Sequence, residues 1–115
     1  MLAEIDFDLL ERLPVFDVVL YQSVMHHVMY EHGVEYAREM LQRIRARTRK
    51  ALIFDMGQSN ETGSSWSRLL PDMGPDPHSW IQAFIESAGF RDVQKAGDTD
   101  AYRETTKRAV FVATP

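Results

Sequence analysis

Two rhythms of apolar residues alternate along the chain. Within FDVVLYQSVMHHV, residues Val18, Val19, Leu20 and Tyr21 form an unbroken apolar run, which predicts a strand over residues 17–23 buried on both faces, as in a parallel sheet. Val34, Ala37, Met40, Leu41 and Ile44 then recur every three or four residues. Glu35, Arg38, Glu39 and Arg43 keep off that stripe, so residues 33–46 are expected to form an amphipathic helix. ALIFDM (51–56) is a second short apolar strand, closed by Gly57. Residues 57–75 are rich in Gly, Ser and Pro and read as a loop, with Trp66, Leu69 and Leu70 spaced for a single helical turn. Asp76 can cap a further helix and Pro77 suits its first turn. Its buried stripe is Trp80, Ile81, Phe84, Ile85 and Ala88, and Gly89 stops it. Residues 90–96 predict a strand with a weaker apolar pattern, 97–106 a polar loop, and RAVFVA (108–113) the last strand. Residues 5–13 fit two patterns: Ile5, Leu9 and Leu13 suit a helix, while Ile5, Phe7 and Leu9 alternate like a strand.

Strands alternating with helices predict an α/β, three-layer domain with a mainly parallel sheet of about four strands. No helix separates the last two strands, so they are expected to form an antiparallel hairpin. The expected order places strand 17–23 at one edge, followed by ALIFDM, the terminal strand and strand 90–96.

Size and charge narrow the class. A chain of 115 residues fits one domain. Its 44% hydrophobic and 26% charged residues are ordinary for a soluble protein, and the N-terminal residues do not resemble a signal peptide; a cytoplasmic domain is expected. No apolar run is long enough to cross a membrane. A net charge of −4 makes a general nucleic-acid binder unexpected. RIRARTRK (43–50) carries five basic side chains, but residues two apart on a helix point in different directions, so Arg43 and Arg47 share a side that Arg45 does not. A solvated helix end, complementing the helix dipole, accounts for the run. With no cysteine, there is no disulfide and no thiol nucleophile.

The order of these pieces resembles the C-terminal half of class I S-adenosylmethionine-dependent methyltransferases. FDVVLYQSVMHHV matches their fourth strand and the segment after it, and ALIFDMG their fifth; WIQAFIESAGFRDV and RAVFVATP match the closing helix and hairpin. Together these cover residues 15–115. The resemblance implies a Rossmann-like half-domain and an S-adenosylmethionine-dependent methyl transfer to an N, O or C acceptor. It also implies a missing N-terminal half. That half holds the cofactor with a glycine-rich turn and a ribose-binding acid, and neither is present here. The chain alone is therefore expected neither to bind the cofactor nor to catalyse. A non-catalytic α/β interaction module derived from this fold is the alternative. The apolar strand 17–23, placed at an edge, is expected to pair with a second copy or with the missing half.

The resemblance also distributes the candidate site. Tyr21, Gln22 and Ser23, at the carboxyl end of a parallel strand, would face the methyl donor, with simple strand termination the alternative. Asp6 and Phe7 lie where the family places an acid near the adenine, although a helix-capping or solvated acid is the simpler reading of Asp6. Asp55, Gln58, Asn60, Glu61 and Trp66 would shape the acceptor side, with core packing the alternative for Trp66. His26 and His27 are the candidates for proton transfer, with structural packing the competing role. No HxxxH or HExxH spacing accompanies them, so no metal site is expected.

Overall fold

The computed structural model describes residues 7–100 and 106–115. Along the chain the elements are α1 (Phe7–Arg12), β1 (Phe16–Tyr21), α2 (Met25–His32), α3 (Val34–Ala46) and β2 (Thr48–Phe54). A 3-10 turn (Ser65–Leu69) comes next, then α4 (Pro77–Ser87), β3 (Asp92–Asp100) and β4 (Lys107–Thr114). The sheet runs β1-β2-β4-β3. β1 and β2 pair in parallel, β4 lies antiparallel to both of its neighbours, and so three of the four strands point the same way. This is an α/β fold with a mixed four-stranded sheet, arranged as a Rossmann-like half-domain.

The local chemistry explains most elements. Asp76 caps α4, its carboxylate accepting from the Ser79 amide, and Pro77 sits in the first turn, where its missing N–H costs nothing. Gly89 ends the helix with φ +106°, a left-handed conformation that other residues rarely adopt. Ala37, Met40, Leu41 and Ile44 form the buried stripe of α3. The helices gather on one face of the sheet, α3 against β2 and α4 against β3 and β4; α3 and α4 also touch, and α1 and α2 pack on α3. Leu52, Phe54, Ala109, Phe111, Ala113 and Val93 point into that core.

The basic run 43–50 is used internally. The Arg47 guanidinium donates to the Leu10 and Glu11 carbonyls (3.0 and 2.8 Å), capping the end of α1. Arg43 pairs with Glu11 and Glu39 and lies over the Phe7 ring, 4.6 Å from its centroid. Arg49 and Lys50 flank Asp17 on the neighbouring strand.

Four expectations need correction. Residues 25–32, for which the pattern predicts no element, form α2. β3 runs on to Asp100 through residues expected to form a loop, with an irregularity in register between Lys95 and Gly97. β2 begins at Thr48, three residues early. Most important, β1 is not buried on both faces. Val19 and Tyr21 face the helices, while Phe16, Val18 and Leu20 are 45%, 53% and 66% exposed. Sheet register places Leu20, Ile53 and Val112 in one row on the face opposite the helices, with Val18 beside Ala51. The described residues thus supply two of the three expected layers. Residues 5–13 resolve to a helix from Phe7, and Asp6 lies outside the described residues.

Candidate functional site

β1 and β2 are parallel, so their carboxyl ends emerge side by side, and the chain turns sharply after each. Antiparallel β4 begins at that same end of the sheet. Three strands therefore bring Ser23, Asp55 and Arg108 together. Ser23 has φ +58° and is the one non-glycine residue with positive φ among those described. Its amide and its hydroxyl both donate to Asp55 Oδ1, at 2.9 and 3.2 Å. The bonds to Asp55 hold Ser23 in this uncommon conformation.

Arg108 completes the cluster. Its Nη2 and Nε donate to the two Glu61 oxygens at 2.6 and 3.3 Å, a fork that matches the carboxylate, while Nη1 donates to Ser23 Oγ at 3.0 Å and lies 3.8 Å from Asp55. Glu61 is 1% exposed and Gln58 fully buried. The Gln58 amide donates to Glu61 Oε2 at 2.5 Å, closing a tight turn. The Gln58 side chain accepts from the Ala109 amide (3.3 Å) and donates to the Lys107 carbonyl and to Asn60 Oδ1 (3.1 and 2.9 Å). Charged groups so far from water persist only when paired and hydrogen-bonded, and here each is.

Beside the cluster stands a column of rings. His26 lies between Trp66 and His27, with centroids 4.4 and 4.2 Å away, and His27 Nδ1 lies 2.7 Å from the Tyr30 hydroxyl. His26 is 3% exposed, and its Nδ1 accepts the Gly57 amide proton at 2.8 Å. Burial chiefly, then the neighbouring His27 and Arg108, lowers its pKa to about 3. His26 is therefore neutral at physiological pH, with Nδ1 engaged in holding the turn after β2. His27 is exposed and is the one of the pair that reaches solvent.

The predicted residues separate into two groups. Ser23, Asp55, Gln58, Asn60 and Glu61 converge at the sheet end, with His26 and Trp66 beside them. Gln22 is exposed after β1. Tyr21 instead turns into the core, its hydroxyl donating to Met40 Sδ at 3.6 Å, and burial pushes its pKa up to about 12. Phe7 stacks on Tyr36 of α3, with centroids 4.8 Å apart. Arg108 is the member that the sequence pattern does not single out. The available signal is the hairpin itself, because a strand returning antiparallel starts where the parallel strands end. Among the described residues no group of three His, Cys, Asp or Glu side chains is placed to hold a metal ion.

Comparison with known proteins defines the fold class. No protein-family model and no curated protein sequence matches the chain. Among solved structures, that of the bifunctional kinase-methyltransferase WbdD is similar over 93% of this chain and 22% of its own, at 22% identity and a TM-score of 0.72. Magnesium protoporphyrin IX methyltransferase (ChlM) from Synechocystis PCC 6803, solved with bound SAM, is similar over 91% of this chain and 42% of its own, at 16% identity and a TM-score of 0.55. The chain has a methyltransferase-like fold, and it spans less than half the length of either structure.

Proposed function

We propose that this chain is the C-terminal half of an S-adenosylmethionine-dependent methyltransferase and supplies the acceptor side of its cleft. The observation that carries this reading is the unfinished sheet. β1 ends it with an apolar strand whose outer edge has no partner among the described residues, and the apolar row Leu20–Ile53–Val112 lies on the face opposite the helices. The other edge shows the contrast: β3 is polar and irregular, as edges open to water usually are. A strand and a covering layer from the N-terminal half fit the β1 side.

In this reading the described residues supply only part of a cofactor site. They offer Gln22 and Ser23 at the end of β1, while the Tyr21 hydroxyl is turned away onto Met40. When bound in a completed fold, the cofactor supplies an electrophilic methyl group on a sulfonium. This chain's contribution is positioning: Ser23, Asp55 and Arg108 fix the ends of β1 and β2, and Gln58, Glu61 and Trp66 fix the loop that borders the acceptor. In this reading His27, exposed on the far side of His26 from Trp66, is the candidate to take a proton from an acceptor.

The test is titration calorimetry with S-adenosylmethionine and its demethylated product. The 115-residue chain and a longer polypeptide carrying the sequence encoded immediately upstream are compared. Hydrogen bonds to charged groups contribute about 1.5–3 kcal/mol each, so lacking two or three takes a micromolar site to about millimolar or weaker. The chain alone is expected to show no measurable binding and the longer polypeptide micromolar binding. Micromolar binding by the chain alone, or an upstream sequence without a glycine-rich strand–turn, would overturn the half-enzyme reading and leave an interaction module.

A further inference from the structure

We infer that Arg108 is a positioning residue, locking the cofactor side and the acceptor side of the candidate cleft to each other. One guanidinium is shared among three groups from separate parts of the chain. Glu61 lies in the loop after β2, Asp55 at the end of β2 and Ser23 in the turn after β1. Two buried carboxylates share this one cation. Asp55 has a second tie, to the Ser23 amide and hydroxyl, whereas Glu61 relies on Arg108 for its countercharge.

Chain geometry makes the lock act at a distance from Arg108 itself. Glu61 holds the turn through the Gln58 amide, and the Glu61 amide donates back to the Gln58 carbonyl at 3.1 Å. The Ser64 amide donates to the Glu61 carbonyl and the Ser67 amide to the Ser64 carbonyl, carrying the loop into the 3-10 turn that places Trp66 over His26. Removing the guanidinium leaves Glu61 charged and dry, and the loop must open to hydrate it. Ser23 simultaneously loses the bond that ties its hydroxyl to β4. Both walls loosen together, although neither is adjacent to Arg108 in sequence.

The inference rests on the proposed function only for where the cleft lies, and its test needs no cofactor. Hydrogen exchange is followed in the 115-residue chain for R108M, R108K and E61Q. Trp66 emission is read in a W80F background, where it is the sole indole. In R108M, amides of both 22–25 and 57–64 should exchange faster by about tenfold or more, with α3 and α4 unchanged. Trp66 emission should shift as the indole leaves His26. R108K, keeping the charge without the fork, should restore part of both signals. E61Q should free 57–64 while 22–25 stays protected, because Arg108 still holds Ser23 and Asp55. Wild-type protection of both stretches in R108M overturns the inference, as does faster exchange spread evenly over the whole chain. If R108M does not fold, E61Q decides: protection of 57–64 as in wild type overturns it. A lock found together with failure of the longer polypeptide to bind S-adenosylmethionine would retain the role of Arg108 and remove the enzymatic reading.

Discussion

His26 shows how a residue of catalytic type becomes structural once its neighbours are known. Its Nδ1 holds the Gly57 amide, and its ring is enclosed by Trp66 and His27. Because its folded pKa is lowered to about 3 from an ordinary 6.5, protonation favours the unfolded chain. Its contribution to stability is full above about pH 6.5 and declines as pH falls toward 3, by at most about 1.4 kcal/mol per pH unit. Urea unfolding at about pH 7 and pH 4 should show this loss in the wild type and a smaller one in His26→Asn, whose side-chain oxygen can still accept the Gly57 proton. An equal loss in both would place the titration elsewhere. His26→Ala should cost about 1–3 kcal/mol by orphaning that amide, while exposed His27→Ala stays within about 0.5 kcal/mol. Gly57 has no such latitude. A Cβ there would stand 2.3 Å from Trp66 Cη2 and 2.8 Å from His26 Cγ. Gly57→Ala should destabilise by about 1–3 kcal/mol, with altered Trp emission, and unchanged melting and emission would contradict this packing.

At the scale of elements, α1 depends on Arg47 more than on its own six residues, which are too few to hold a helix alone. Arg47→Ala removes two bonds to its last carbonyls, each worth about 0.5–1.5 kcal/mol. Exchange of α1 amides should rise while the β2 and β4 amides stay protected, and equal protection of α1 in the variant would refute the dependence. The same element scale shows where sequence reading succeeds. α3 and α4 are legible because their stripes meet a core and their ends carry caps or stops, and β4 because its apolar run follows two basic residues and ends before Pro115. α2 escapes because its apolar residues, Met25, Val28 and Met29, are interleaved with two histidines, one of them buried. The end of β3 escapes because an edge strand facing water on both sides has the composition of a loop. β1 is legible as a strand but not as an exposed one, since an apolar run reports what a segment can bury against and not whether the partner is in the same chain. The strand-end residues Ser23 and Asp55 are legible from the end of each apolar run, whereas Arg108 requires knowing the direction of β4.

At the scale of the whole molecule, the described residues leave an apolar surface uncovered on the sheet, and it predicts behaviour that can be measured without any substrate. Phe16, Val18 and Leu20 project from an edge strand onto the face that also bears Ala51, Ile53 and Val112. An exposed edge offers unpaired backbone groups as well as apolar side chains, and the two together favour addition of another strand. In the half-enzyme reading that strand belongs to the N-terminal half; for the isolated chain the available partner is a second copy. The purified chain should therefore self-associate with rising concentration in light scattering, and β1 amides should become more protected as it does. Leu20→Lys in combination with Val18→Lys places two charges on the row. Both residues are more than half exposed, so each change should alter the stability of the monomer by no more than about 0.5 kcal/mol. Association should nevertheless be lost, and so should binding to a separately expressed N-terminal half. A wild-type chain that stays monomeric at high concentration, with β1 amides exchanging fast, would show that this edge is tolerated in water and would remove the support it gives to the half-enzyme reading.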